Sequence, residues 1–109
     1  MIRHVVSFRF RPEVPEPERA EVLAELEGLP GRFPAMRRFA LGTNISRRDD
    51  TFSHAFSVEF ESEGELVAYL DSEEHETFVR ERFRPRVEQR AIVSFVARDD
   101  MGAPGAGGG

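Results

Sequence analysis

The nonapeptide IRHVVSFRF, residues 2–10, alternates between two sets of side chains from its first residue. A period of two is typical of a β-strand with one face on a core, because successive side chains point to opposite sides. We therefore predict a strand over Ile2–Phe10. The residues of its core face are Ile2, His4, Val6, Phe8 and Phe10.

A helix is predicted after this strand, from Pro17 to about Leu29. Pro17 lies between two glutamates, and the first turn of a helix tolerates proline and favours acidic side chains near the positive end of the dipole. Gly28 and Pro30 are expected to end the helix. Apolar residues at spacings of three and four make it amphipathic. They are Val22, Leu23, Leu26 and Leu29.

Three further strands are predicted downstream. The segments 36–41 and 52–60 supply the second and third strands, with a loop at 42–51 between them, and 87–96 supplies the last. The third strand alternates like the first, so it also has one core face. That face contains Phe52, His54, Phe56, Val58 and Phe60.

A second helical region is predicted between the third and last strands. Ser62 and Glu65 have the spacing of a capping box, and Asp71-Ser72 is expected to interrupt the region and begin a second helix that Pro85 ends. Side chains three, four and eight residues apart share a helix face. The residues predicted to face inward are Leu66, Tyr69 and Leu70 on the first part and His75, Phe78, Val79 and Phe83 on the second.

The element order is β-α-β-β-α-β, the ferredoxin-like arrangement of an α+β protein. It predicts a four-stranded antiparallel sheet with two helices on one face. The opposite face carries small residues flanked by charges, a composition that can accept a second sheet. On the first and third strands its residues are Arg3, Val5, Ser7, Arg9, Ser53, Ala55, Ser57 and Glu59.

Composition excludes several kinds of chemistry. The chain has no cysteine, and all 15 of its basic residues are arginine. Disulfides, thiolate nucleophiles and a lysine Schiff base are therefore excluded. The net charge of −5 does not favour binding to nucleic acid or to anionic lipid. No apolar run approaches the length of a membrane span, so the expectation is a soluble, cytoplasmic protein without nucleic-acid or membrane partners.

One domain is predicted over residues 1–98, since a chain of 109 residues suits a single core. The last residues are almost entirely Gly, Ala and Pro, which predicts a disordered tail at 99–109. Near the end of the domain, basic residues alternate with Glu81 and Glu88, which indicates a solvated, salt-bridged face rather than an anion site. The basic residues are Arg80, Arg82, Arg84, Arg86 and Arg90.

Three stretches in combination resemble the stress-responsive dimeric α/β-barrel (Dabb) family, from residue 2 to about residue 97. The first is Arg3–Phe10 (RHVVSFRF). The second is Gly42–Ser46 (GTNIS). The third is Tyr69–His75 (YLDSEEH), with Phe78 following. The resemblance implies a homodimer in which two sheets pack face to face into a barrel, with a pocket between each sheet and its own helices.

The resemblance also implies a chemistry. Some members of the family are stress-induced proteins, and some resemble or are polyketide cyclases that close rings without a cofactor by means of a tyrosine and a histidine. By motif this pair falls on Tyr69 and His75, and no cofactor is implied. The family's His-Pro-x-His run is here Ser72-Glu73-Glu74-His75, so only its second histidine is carried over.

The three histidines of the chain are predicted to meet at one pocket. His4 and His54 lie on the core faces of strands that are neighbours in this fold, and His75 points down from the helix above. Each could instead be a core histidine that hydrogen-bonds a backbone carbonyl. Zinc or haem iron is a further alternative, but nothing indicates the ligand geometry, so no metal is predicted. The expected pocket residues are His4, Val6, Phe8, Val22, Leu23, Leu26, His54, Phe56 and Phe78, around the catalytic candidates His75 and Tyr69.

Three functions remain open at this point. The first is a cofactor-independent enzyme, such as a polyketide-type cyclase, isomerase or lyase, in which His75 is the acid/base and Tyr69 its partner or oxyanion donor. The second is a non-catalytic Dabb protein whose pocket binds a small, apolar or aromatic molecule or is filled by side chains. The third is a cofactor-free monooxygenase of the related antibiotic-biosynthesis type. An open cavity of roughly 300 Å³ or more near His75 would favour ligand binding over an inert scaffold.

Overall fold

The computed structural model describes residues 1–98, which form one four-stranded sheet with helices between its strands. The tail predicted at 99–109 lies outside the described residues. The strands are β1 (Ile2–Phe10), β2 (Arg37–Thr43), β3 (His54–Phe60) and β4 (Val87–Val96). The helices are α1 (Glu16–Glu27), α2 (Leu29–Arg32), α3 (Glu63–Leu70) and α4 (Glu73–Phe78), and a π-helical turn (Val79–Phe83) continues α4.

The sheet has the strand order β2-β3-β1-β4, and every neighbouring pair is antiparallel. This is the ferredoxin-like α+β fold that the element order predicts. Along β1 the side chains alternate between buried and half-buried, which confirms the predicted core face. The register places His4 of β1 between Val58 of β3 and Ser94 of β4. Residues paired in this way share a face of the sheet.

The core lies between this face and the helices. Phe8 and Phe60 from the sheet and Val22 from α1 have no exposed surface. Tyr69 of α3 and Phe83 of the π-helical turn belong to the same hydrophobic cluster. Both helical connections therefore cover the same face of the sheet, as predicted.

The first helical connection is divided at Gly28 rather than running unbroken to Leu29. The Gly28 N–H donates to the carbonyls of Ala24 and Glu25, which ends α1. α2 begins at the next residue and has Pro30 in its first turn. The prediction that Pro30 ends a helix is therefore wrong. Proline is compatible with the first turn because no intrahelical N–H donor is required there.

The second helical connection is divided at Asp71-Ser72, as predicted. Ser62 Oγ accepts a hydrogen bond from the Glu65 N–H at 3.2 Å, which confirms the predicted cap of α3. Ser72 Oγ accepts from the His75 N–H at 3.1 Å and caps α4 in the same way. Both caps are local pairs three residues apart, which is why the sequence predicts them.

The end of α4 is not regular helix, contrary to the prediction. The Arg84 N–H donates to the Val79 carbonyl five residues earlier, at 2.8 Å. This i to i+5 bonding is that of a π-helix, which widens the turn. Residues five apart are thereby brought towards the same side, Phe78 with Phe83 and Val79 with Arg84.

The loop between β2 and β3 spans residues 44–53 rather than the predicted 42–51. Gly42, expected in the loop, pairs instead with Ala55 within the sheet. Phe52, expected in the third strand, lies in the loop. The side-chain amide of Asn44 donates to the carbonyls of Asp49 and Phe52, which closes the loop across its base.

The face of the sheet opposite the helices is uncovered within the described chain. Val5 of β1 pairs with Val93 of β4, and Phe95 lies two residues along on the same face. Val93 is 58% exposed and Phe95 is 43% exposed. We call Val5, Val93 and Phe95 the open-face patch. Clustered exposed apolar side chains are typical of an interaction surface.

Candidate functional site

A cavity of about 240 Å³ lies between the helix-covered face of the sheet and the α3–α4 region. We call it the His–Tyr cavity, because His4, Tyr69 and His75 all line it. Its volume is below the roughly 300 Å³ that was expected to favour ligand binding over an inert scaffold, so this expectation is not met. Any molecule bound here would be smaller than a drug-sized ligand. Most of its remaining lining is apolar, including Val6 and Phe56 from the sheet.

Tyr69 is held by rings on several sides. Its ring centroid lies 4.5 Å from that of His75, 4.9 Å from that of Phe33 and 5.7 Å from that of Phe60. The residue is 5% exposed, and this burial raises the pKa of the hydroxyl, so the group is a phenol at neutral pH. Within residues 1–98 no group hydrogen-bonds the Tyr69 hydroxyl. It is therefore available as a donor to a molecule in the cavity.

His75 has a defined tautomer. Its Nδ1 lies 3.1 Å from the Leu70 carbonyl oxygen, and because a carbonyl can only accept, Nδ1 carries the proton. The neutral ring then has its lone pair on Nε2. Burial lowers the pKa of His75, although the Leu70 hydrogen bond and the charge of Glu76 oppose the effect. His75 is thus neutral at pH 7, with Nε2 as a proton acceptor.

His4 lies on the sheet below this pair. It is 2% exposed, and its Nδ1 shares a hydrogen bond of 2.8 Å with the Ser94 hydroxyl. Its ring centroid is 6.3 Å from that of Tyr69. Burial lowers the pKa of His4, and a positive charge on His75 lowers it further. The cavity therefore contains two neutral imidazoles and one phenol.

His54 does not join this group, so the prediction that three histidines converge is wrong. His54 pairs with Phe8 in the sheet, whereas His4 pairs with Val58. The four-residue separation along β1 corresponds to roughly 13 Å. The His54 ring instead stacks on Phe8 at 5.6 Å between centroids, and its Nδ1 shares a hydrogen bond with Ser53.

The other predicted pocket residues divide into two groups. Val6, Leu26, Phe56 and Phe78 line the His–Tyr cavity together with His4, Tyr69 and His75. Phe8 and Val22 have no exposed surface, and partly buried Leu23 packs against the core; these three do not line the cavity. They belong to the core as predicted, but away from the cavity.

Several lining residues were missed. Arg90, Ile92 and Ser94 alternate along β4 and face the cavity; their period of two could have indicated this. Val79 was predicted to face inward but was not placed at the pocket, although it lines the cavity. Arg84 reaches the cavity through the π-helical turn, for which the sequence carries no local signal.

The predicted salt-bridged face is only partly formed. Arg82 pairs with Glu25 at 2.8 Å, and Arg80 and Arg86 also lie within 4 Å of a carboxylate. Arg84 and Arg90 have no ion pair within residues 1–98. The prediction is therefore confirmed for three of the five arginines and wrong for the two that line the cavity.

Fold and site together define a small α+β protein with a buried histidine–tyrosine cavity. The sequence matches the family described as Stress responsive A/B Barrel Domain (Dabb) over residues 2–97. The chain belongs to this family. A comparison with curated proteins gave no match.

Solved structures share the fold. A Dabb family protein with a ferredoxin-like fold from Mesorhizobium loti is 27% identical, with a TM-score of 0.79 over 88% of this chain and 95% of that one. A dimeric protein of unknown function from Bacteroides fragilis is 26% identical, with a TM-score of 0.66 over 86% and 93%. Hydroxynitrile lyase from Passiflora edulis is 23% identical, with a TM-score of 0.81 over 88% and 92%; at this identity the likeness shows the fold alone.

The structure of residues 1–98 also bears on metal binding and on membrane insertion. No group of three His, Asp or Glu side chains there is arranged to hold a metal ion. No helix in the described part of the chain has the length and apolar character to cross a membrane.

The ionisation of the two cavity histidines is directly measurable. We predict that an NMR titration of the ring protons gives pKa values below 6.5 for both His4 and His75, since burial disfavours the imidazolium. In His75→Asn the pKa of His4 should rise towards 6.5, because the imidazolium that His75 forms at acidic pH is no longer there to oppose protonation of His4. A His4 pKa at or above 6.5 in the wild type, or one unaffected by the substitution, would contradict this description.

Proposed function

We propose that this protein is a cofactor-independent enzyme that moves protons on a small, largely apolar carbonyl compound bound in the His–Tyr cavity. One observation carries the proposal. The Leu70 carbonyl fixes the proton on Nδ1 of His75, so that a neutral base lies beside a protonated phenol inside an apolar cavity. General acid–base chemistry requires such a pair within reach of one ligand.

The proposed reaction begins at a carbon next to the carbonyl group. His75 Nε2 takes a proton from that carbon, and the electron pair of the broken C–H bond forms an enolate. The Tyr69 hydroxyl donates a hydrogen bond to the enolate oxygen, where negative charge develops. The imidazolium then returns the proton, either to another carbon or to the alkoxide that forms when the enolate carbon attacks a second carbonyl. The second outcome closes a ring.

The apolar lining favours this chemistry in two ways. It keeps His75 neutral at pH 7 by lowering its pKa, so the base is present in its active form. It also strengthens a hydrogen bond from Tyr69 to an oxyanion, because water does not compete for either group. We expect activity to fall as the pH drops through the lowered pKa of His75, since protonation removes the lone pair.

The family supports the proposal at the level of the fold. The hydroxynitrile lyase of Passiflora edulis has this fold, so the fold is compatible with catalysis. Ring closure of the polyketide type is the finer form of the proposal. It rests on the resemblance of the Tyr69–His75 segment to cyclase members of the family.

We also propose that the chain is a homodimer in which the open-face patch meets its copy. Val93 and Phe95 are exposed and apolar, and the related Bacteroides fragilis protein is dimeric. A second sheet would remove this surface from water, which is the main driving force for such association.

The catalytic proposal is tested with 2-tetralone, an aromatic ketone with activated α-protons. In deuterated buffer, NMR should show that the wild type catalyses exchange of these protons. His75→Asn should slow exchange by about 10² to 10⁴, the usual contribution of a positioned base. Tyr69→Phe should slow it by about 10² to 10³, as for loss of an oxyanion donor.

His54→Gln is the matched control, since it removes a histidine outside the cavity and should leave the exchange rate unchanged. If His75→Asn exchanges as fast as the wild type, the catalytic proposal is wrong. Binding of 2-tetralone without exchange would favour the non-catalytic ligand-binding protein. Oxygen consumption with 2-tetralone would favour the monooxygenase.

The dimer is tested by size-exclusion chromatography with light scattering. Phe95→Asp should convert the dimer to a monomer, because an unpaired carboxylate in the centre of an interface is costly. Val67→Asp on α3 is the control; Val67 is also exposed and apolar, at 45%, but lies outside the open-face patch. A wild-type protein with the mass of one chain would refute the proposal.

A further inference from the structure

Two arginines of the His–Tyr cavity differ from their neighbours along the chain. Arg80, Arg82 and Arg86 each lie within 4 Å of a glutamate oxygen. Arg84 and Arg90 have no carboxylate partner within the described residues, and both line the cavity. Within residues 1–98, these two positive charges beside the cavity therefore have no carboxylate to neutralise them.

The charge of the cavity contrasts with that of the chain. The protein has a net charge of −5, yet the residues that line the cavity include two arginines and no carboxylate. Glu76 borders an adjoining depression with Arg80 and Arg84 and does not line the cavity itself. A site with this lining attracts anions even on an acidic protein, because local charge dominates at short range.

The position of the arginines indicates how an anion would lie. Arg84 and Arg90 are solvent-exposed, whereas His4 and Tyr69 are buried. The charged groups therefore occupy the outer part of the site and His4 and Tyr69 the inner part, with His75, which is half-buried, between them. Arg84 reaches this position because the π-helical turn brings it to the same side as Val79, five residues earlier.

We propose that the cavity binds a small organic carboxylate, whose apolar or aromatic body fills the space beside Tyr69 and His75 and whose carboxylate is held by Arg84 and Arg90. Guanidinium groups suit this role, since they bind carboxylates through paired, charge-assisted hydrogen bonds. The inference deepens the proposed function and rests on it for the reaction. The substrate would then be a carbonyl compound that also carries a carboxylate.

The test compares two probes of nearly the same shape, 3-phenylpropanoate and its neutral amide, 3-phenylpropanamide, by calorimetric titration. The wild type should bind the carboxylate about tenfold more tightly or better, as expected for charge-assisted hydrogen bonds. Arg84→Gln and Arg90→Gln should each reduce this preference, and the double variant should abolish it, so that the carboxylate and the amide bind equally. The preference should also weaken with added salt, because the arginines are exposed.

Arg80→Gln is the matched control, because it removes the same charge from the same helical region without altering the cavity lining; it should keep the preference. Equal affinity of the wild type for both probes would overturn the inference, as would an Arg80→Gln variant that loses as much preference as Arg84→Gln. Failure of both probes to bind would overturn the inference and the ligand-binding cavity together.

Loss of binding in a variant could also result from misfolding. The charge-reversed double variant Arg84→Glu/Arg90→Glu avoids this ambiguity, because it is expected to gain a new preference. It should prefer 3-phenylpropylamine, a cation, over 3-phenylpropanoate, and an unchanged preference for the carboxylate would overturn the inference. His75→Asn separates the two proposals. A variant that has lost deuterium exchange but keeps the carboxylate preference supports both of them. Exchange that persists in His75→Asn, with the preference intact, refutes the catalytic role and leaves the carboxylate site standing.

Discussion

The Ser72 hydroxyl holds together the two residues on which the candidate site depends. It donates to the Tyr69 carbonyl at 2.8 Å and accepts from the His75 N–H at 3.1 Å. One short side chain thus spans the last turn of α3 and the first turn of α4. Backbone groups released at a helix break need such partners. The chain can change direction here while the Tyr69 and His75 rings stay 4.5 Å apart between centroids.

Burial then determines the chemistry of these rings. In apolar surroundings the charged forms of an imidazole and of a phenol are both disfavoured, so His4, His75 and Tyr69 are neutral. Permanent charge is confined to the exposed arginines of the cavity, Arg84 and Arg90. The site therefore has a neutral acid/base interior and a cationic outer part. A molecule with an apolar reacting end and an anionic opposite end complements both parts.

Local patterns predicted much of this arrangement, and long-range packing determined the rest. Tyr69 and His75 could be placed on one side because caps and spacing are short-range features. The predicted position of His54 was wrong because a period of two fixes the face of a strand and not the distance along it. The π-helical turn has no signature in residue spacing, and the unpaired state of Arg84 and Arg90 depends on where carboxylates from distant segments lie, which spacing does not encode.

The central claim is that the Leu70 carbonyl holds the proton on one nitrogen of His75 and leaves the other free to act as a base. Long-range ¹H–¹⁵N NMR correlations at pH 7.5 or above distinguish the two neutral tautomers directly. We predict a protonated Nδ1 and an unprotonated Nε2 for His75, as the contact with Leu70 requires. A proton on Nε2 would contradict the claim, because the cavity would then have no base in the proposed position.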